Sequence, residues 1–352
     1  MNLDDTGRLA ALDPQGMLAK IEGLPGQLEQ AWQMGMHLPL PAWKEIRQVV
    51  LCGMGGSAIG ADLLVHYAAP QARASLQVWR GYDLPLWARG PETLVVASSH
   101  SGNTEETLTA LEAGRAAGAR TVAITTGGEL AGRARAAGDV LWTFDHPGPP
   151  RAAVGFSFGL LLALLARSGV VADAESEVRD AAGAMRSQQQ AFGAAVPAAN
   201  NPAKRMGGQL MDRWPLLFGA GLTAPVARRW RTQINELAKA GGGFEELPEA
   251  DHNVVSGVLQ PAGVIQRMMV ICLRAPLDDP RLVRRLDATR HVFMVEGFNT
   301  DAIDGVGATR LAQQWTCLHY GDYAAFYLAM AYGLDPTPIE AIEAFKEYLR
   351  SA

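Results

Sequence analysis

The sequence predicts an α/β protein of two domains, each a mainly parallel sheet flanked by helices in three α/β/α layers, and three observations carry that reading. Short apolar runs alternate with stretches of helical periodicity along most of the chain. Its 352 residues are long for one hydrophobic core and comfortable for two. A turn of the form Gly-x-Gly-x-hydroxyl-Ala follows an apolar run twice, at Gly53–Ala58 and at Gly219–Ala224, which is a faint internal duplication.

Residues 1–45 read as a helical lead-in, with Met17, Ile21, Leu24 and Leu28 spaced for one face despite Pro25. Residues 46–168 form the first domain. Strands are expected near 48–53, 76–80, 93–98, 120–125 and 139–143, and helices near 57–68, 103–117 and 128–137. Strands and helices alternating at these lengths imply right-handed crossovers and a parallel sheet. Asp145–Pro150 is a proline-rich loop, and Phe156–Leu165 reads as a buried helix. Residues 169–200 form a linker carrying an amphipathic helix over 171–195. Residues 201–352 form the second domain, with strands near 214–219, 264–274 and 291–296 and helices near 306–332 and 338–350.

Composition narrows the function. Hydrophobic residues at 48% and charged residues at 19% suit buried strands rather than a disordered chain. A net charge of −5 argues against nucleic acid or a membrane surface as the main partner. Cys52, Cys272 and Cys317 form no CxxC pair and fall in apolar stretches, which suits a reducing compartment. The acidic start Met1-Asn2-Leu3-Asp4-Asp5 lacks the basic and apolar regions of a secretory signal, so a cytoplasmic location is expected. No apolar run reaches the ~18 residues of a membrane span.

Two motifs carry chemistry. In Val49–Gly60 an apolar run breaks into a glycine-rich turn and then a helix-compatible stretch, so the amides of Gly55 and Gly56 and the Ser57 hydroxyl can converge on an anion. In Ser98–Thr107 a second apolar run meets a helix through Ser99, Ser101 and Thr104. One such hydroxyl would be explained by helix capping, but three within six residues ask for more and suit phosphate oxygens. The seven histidines show no HExxH and no paired spacing, so no metal is expected. The glycine turn lacks the lysine of a phosphate-binding P-loop and is not a dinucleotide fingerprint in register, and Asp83 is the only nearby acid for a ribose.

Both motifs resemble those of sugar isomerase (SIS) domains. The combination of Gly-Met-Gly-Gly-Ser with Ser-x-Ser-Gly-Asn-Thr-Glu-Glu-Thr is similar to the bifunctional phosphoglucose/phosphomannose isomerases of bacteria and archaea. Further matching stretches are Pro150-Arg151-Ala152, Gln233-Ile234-Asn235-Glu236, Glu246–Glu249 with Asp251-His252-Asn253, and Asp335-Pro336-Thr337-Pro338 followed by Lys346, so the resemblance runs from about residue 45 to 352. It implies two SIS domains and a cofactor-independent aldose–ketose isomerase acting on glucose 6-phosphate and mannose 6-phosphate through an enediol. By the same resemblance Glu236 is the base that moves the C1–C2 proton. Arg151 steadies the enediolate, and His252 with Lys346 opens the sugar ring. His252 enters from a neighbouring subunit, which implies a homodimer. Leu237 stands where the family pattern has Asn and Val254 where it tends to have Glu, and Thr337 has no assigned place. A phosphosugar sensor without catalysis, a nicotinamide oxidoreductase and an isomerase of another sugar phosphate are the alternatives.

Overall fold

The computed structural model describes residues 2–43 and 45–351. They form two compact units, one of Gly23–Arg186 with Val306–Trp315, the other of Met1–Glu22, Ser187–Gly305 and Thr316–Ala352.

The first unit holds a five-stranded sheet: β1 (Gln48–Cys52), β2 (Ser75–Trp79), β3 (Thr93–Ser99), β4 (Arg120–Thr125) and β5 (Val140–Thr143), in the order β2-β1-β3-β4-β5. Every neighbouring pair is parallel. All seven residues of β3 are buried, as a parallel strand covered on both faces requires, whereas outer β2 has no buried residue. Helices Gly55–Ala68, Glu105–Ala116 and Gly128–Ala137 supply the crossovers. Helix Val154–Arg167 is apolar all round and packs on helix Leu24–His37 through small residues, Gly155 and Gly159 on one and Ala31 and Gly35 on the other. Pro25 does not interrupt a helix; it sits in the first turn of Leu24–His37, where its missing N–H costs nothing.

The second unit holds β6 (Trp214–Ala220), β7 (Gly243–Leu247), β8 (Met268–Arg274) and β9 (Asn299–Asp304), again all parallel, in the order β7-β6-β8-β9. Its core gathers Phe218, Val270, Cys272, Leu286, Phe293 and Phe298. The strand expected near 291–296 is the end of helix Pro280–Val295, which Asp279 caps by accepting the Arg281 N–H at 2.9 Å. Of the run Val292–Val295 only Phe293 faces the core, so its β-like composition lies mainly on a solvent face. The last strand is instead the polar edge β9, and β7 was not expected at all. The expected strand at 264–274 shortens to β8, preceded by the helical turn Ala262–Ile265. Helix Pro202–Gln209 is likewise new, while Arg310–Tyr332 and Glu340–Ser351 fall close to where they are expected.

Candidate functional site

Strand order reverses between β1 and β3, and the carboxyl edge at such a reversal is where open parallel sheets take their ligands. Both chemistry-bearing motifs are the loops leaving those two strands. After β1 the chain turns through Gly55, at φ +52°, into helix Gly55–Ala68. A Cβ on Gly56 would stand 2.6 Å from the Pro150 carbonyl oxygen and 3.2 Å from the Arg151 amide, so only glycine lets the turn Pro150–Ala152 lie against this loop. That contact holds Arg151, 4% exposed, in the same unit as the anion turn.

The two loops are tied together, since the His100 N–H donates to Ser57 Oγ at 3.2 Å. In the second loop the Gly102 N–H donates to Ser99 Oγ at 3.2 Å and the Asn103 N–H to Ser101 Oγ at 3.3 Å. Ser57, Ser99 and Ser101 therefore each accept from backbone, and a hydroxyl so engaged keeps its own proton for another acceptor. Ser99 and Thr104 hydroxyls meet at 2.9 Å, so one donates to the other and the pair retains one proton to give. Thr104 is the N-cap residue of helix Glu105–Ala116 yet makes no side-chain cap bond, so capping does not account for it. Gly55, Gly56, Ser57, Ser99, Ser101, Thr104 and Arg151 thus share one unit and one edge of one sheet. A ring of neutral donors beside a helix N-terminus suits an anion.

In the second unit Glu236 lies half-buried in the last turn of helix Ala224–Ala238. Arg229, Gln233 and Glu236 share one helix face by spacing. Arg229 binds Asp322 through Nε at 3.1 Å and Nη2 at 2.6 Å, with both side chains buried, and Gln233 hydrogen-bonds the same carboxylate. Trp230 stacks on Tyr320 at 5.6 Å and donates to the Cys317 carbonyl at 3.0 Å. These contacts fix the helix in roll and depth, and with it the backbone that carries Glu236.

The second glycine turn is filled. The Asp278 carboxylate accepts the Leu222 N–H at 2.7 Å and crowds the position where a Gly221 Cβ would stand. Thr223 accepts the Ala220 N–H at 3.0 Å and donates to the Leu273 carbonyl at 2.7 Å. The signal for this was present in the sequence as an acidic pair just after β8, but nothing in its spacing pointed to the turn.

His252 is exposed at the end of the short 3-10 helix Glu249–His252. Its neighbour Asp251 anchors the segment, accepting from Thr289 Oγ1 at 2.7 Å and Arg285 Nη1 at 3.0 Å. Lys346 lies on helix Glu340–Ser351, which buries no residue. Leu237 is wholly buried and Val254 packs against the core of its unit, so both departures from the family pattern serve packing here. The Thr337 N–H caps onto Asp335 Oδ1 at 2.8 Å. Glu236, His252 and Lys346 therefore stand on three separate elements. Sequence reasoning missed a histidine pair at the second loop, His100 Nε2 to His146 Nδ1 at 3.2 Å, because 46 residues separate its members.

Among the described residues no helix is long and apolar enough to cross a membrane. Residues 199–349 match the family model of the bacterial phospho-glucose isomerase C-terminal SIS domain. The chain is 34% identical to a bifunctional phosphoglucose/phosphomannose isomerase of Caldicellulosiruptor bescii, over 95% of this chain and 98% of that one. To the enzyme of the same name from Aquifex aeolicus it is 30% identical, over 86% and 90%. The fold is also that of the tagatose-6-phosphate ketose/aldose isomerase of Escherichia coli, with a TM-score of 0.70 at 15% identity over 92% of this chain and 95% of that one. Identity at the first of these levels, sustained along nearly the whole length and so across both the anion turn and the helix of Glu236, means that the chain belongs to the bifunctional phosphoglucose/phosphomannose isomerase family.

Proposed function

We infer that this protein interconverts glucose 6-phosphate and mannose 6-phosphate with fructose 6-phosphate, without a cofactor, through an enediol. The observation that carries this reading is the paired loops at the strand-order reversal, whose hydroxyls keep protons to donate and whose glycine admits the Arg151 turn. Phosphate sits on Ser57, Ser99, Ser101, Thr104 and the amides of Gly55 and Gly56. Glu236 removes the proton from C2 of the aldose and returns it to C1, which needs one base and no net charge change. The guanidinium of Arg151 balances the oxyanion that forms meanwhile.

Sugar phosphates in solution are mostly cyclic, so the ring oxygen must gain a proton and the anomeric hydroxyl lose one. His252 of the partner subunit and Lys346 do this. The exposure of His252 in a single chain supports its use by a second copy, and hence a homodimer. Accepting both C2 epimers requires reprotonation from either face after rotation about C2–C3. Three buried thiols support a cytoplasmic location.

The test is coupled turnover of fructose 6-phosphate to each aldose phosphate with EDTA present, for the parent and Glu236→Gln. Turnover in the parent and a fall in kcat of about 10²–10⁴ in the variant are expected. A parent that binds sugar phosphate without turning over either aldose refutes the reading in favour of a sensor or another substrate.

A further inference from the structure

We propose that His100 and His146 form the charge-balancing element of the phosphate cradle, taking up one proton when a phosphate monoester dianion binds. The proposal rests on the reading of Ser57, Ser99, Ser101 and Thr104 as the phosphate site, and adds a role for two residues outside it.

His100 lies between Ser99 and Ser101, and its backbone is pinned at both ends. Its N–H donates to Ser57 Oγ at 3.2 Å, and its carbonyl accepts from Thr126 N–H at 3.2 Å and Thr126 Oγ1 at 2.7 Å. Its Nε2 meets His146 Nδ1 at 3.2 Å with the rings nearly perpendicular. Phe144 packs edge-on against His100 and Phe156 against His146, and the two phenyl rings stack at 5.0 Å. Both imidazoles are therefore held rigidly, and the backbone of His100 is itself part of the second loop.

A nitrogen-to-nitrogen hydrogen bond needs one N–H and one lone pair. The pair can be neutral, or can carry one added proton on an outer nitrogen with the shared bond intact. It cannot carry two, because both facing nitrogens would then be donors. Burial, and after it the neighbouring His146, hold His100 below the ordinary histidine range, and an imidazole of ordinary affinity is mostly neutral at pH 7–8, so the pair has a proton to gain there.

The hydroxyls and amides of the cradle are neutral, and a monoester dianion brings up to two negative charges. Of the charged groups on the elements around the pair, Asp145 is exposed and next to His146 and Arg151 lies in the turn Pro150–Ala152, while on helices Glu105–Ala116 and Gly128–Ala137 Arg133 pairs with Glu112 and Glu129, Arg115 pairs with Asp139, and Arg135 lies in the last turn of the second. Glu105 and Glu106 lie in the first turn after Thr104, and Glu129 begins the helix after Thr126. Arg151 opposes protonation of the pair and the carboxylates favour it. An arriving dianion adds to the favourable side. The sign follows: ligand binding raises the pair's affinity for a proton, so protons are taken up, and phosphosugar affinity falls as pH rises above 7.

The test uses glucitol 6-phosphate, an open-chain polyol phosphate that cannot isomerise, titrated calorimetrically in buffers of different ionisation heat at pH 7–8. The comparison is between the parent and the double variant His100→Gln/His146→Asn, which can keep a hydrogen bond but has no titratable ring. The parent takes up protons that the variant does not. Its Kd and its KM for fructose 6-phosphate rise with pH by at most about tenfold per unit, while kcat is nearly unaffected. Equal proton uptake in the two proteins overturns the proposal, because a merely structural pair would behave so. If the double variant does not fold, ring 15N shifts of the parent report the same event, and shifts unchanged by glucitol 6-phosphate overturn it. Absence of binding by the parent, or binding indifferent to Ser57→Ala, overturns the cradle itself and the pair's role with it.

Discussion

Gly56→Ala tests whether the anion turn and the Arg151 turn work as one piece. The added Cβ stands 2.6 Å from the Pro150 carbonyl oxygen, 2.9 Å from its carbon and 3.2 Å from the Arg151 amide nitrogen. A carbon–oxygen contact is comfortable at about 3.3 Å, so the two backbones must separate by roughly 0.7 Å. No flexible side chain can yield, because all three atoms are main chain. Overpacking of this kind costs about 1–3 kcal/mol of stability. The same movement shifts the Arg151 backbone or the Gly55–Ser57 amides, and a displacement near 1 Å costs on the order of 10²-fold in rate, so kcat/KM should fall tenfold to a hundredfold. The assay pairs steady-state kcat/KM for fructose 6-phosphate with thermal unfolding. Gly183→Ala is the control, since its Cβ meets nothing within 4 Å on helix Glu175–Phe192; it should leave kcat/KM unchanged and raise stability by about 0.5–1 kcal/mol. A Gly56→Ala protein with the parent's kcat/KM and Tm would refute the coupling of the two turns.

Arg151→Lys keeps the charge but loses the planar fork, so kcat should fall about 10²–10³-fold with a smaller change in KM; a rise in KM alone would make Arg151 only a binding residue. His319 is fully buried, its Nε2 donating to the Ile21 carbonyl at 3.0 Å and its Nδ1 facing Gln188 Nε2 at 3.3 Å, and burial pushes it down to about 4. The unfolded chain then binds the extra proton between about pH 6.5 and 4, so up to ~3 kcal/mol of stability, complete above pH 6.5, is lost as pH falls through that window. Denaturation of the parent and His319→Gln at pH 4.5 and 7.5 checks this, and equal losses in both would place the acid sensitivity elsewhere. Asp278→Ala should cost about 1–3 kcal/mol by leaving the Leu222 N–H unmatched, and phosphate or sulfate should raise the variant's Tm more than the parent's.

The first sheet is legible in the sequence because its central strands are buried on both faces and read as unbroken apolar runs, Val49–Cys52 and Leu94–Ala97. The second is legible only at β6 and β8. Its edge strands carry Phe-Glu-Glu and Asp-Ala-Ile-Asp, whose pairing is set by the sheet rather than by their own propensity. The run at 292–295 misleads for the converse reason, a Val-Phe-Met-Val stretch that forms the end of a helix with a capped start. The hydroxyl loop is readable because its members are neighbours in the chain. His100 with His146 and Arg229 with Asp322 are not, since only folding brings residues 46 and 93 positions apart into hydrogen-bond range.

The duplicated turn accounts for proposing a phosphate site at the first copy and not at the second. Both copies follow a central strand, β1 or β6, at the place where strand order reverses, and so both inherit backbone donors aimed at an anion. In the first copy the Ser57 hydroxyl accepts the His100 N–H and keeps its own proton for another acceptor. In the second, Thr223 donates to a main-chain carbonyl and the Asp278 carboxylate answers the Leu222 N–H, so the need for an anion is met from within. A turn satisfied by its own chain cannot compete for a phosphorylated ligand. The helix that follows it is then free to be shaped by other demands, and its buried Arg229–Asp322 pair, costly to desolvate and therefore poor as a source of net stability, is well suited to holding the Glu236 carboxylate in one orientation.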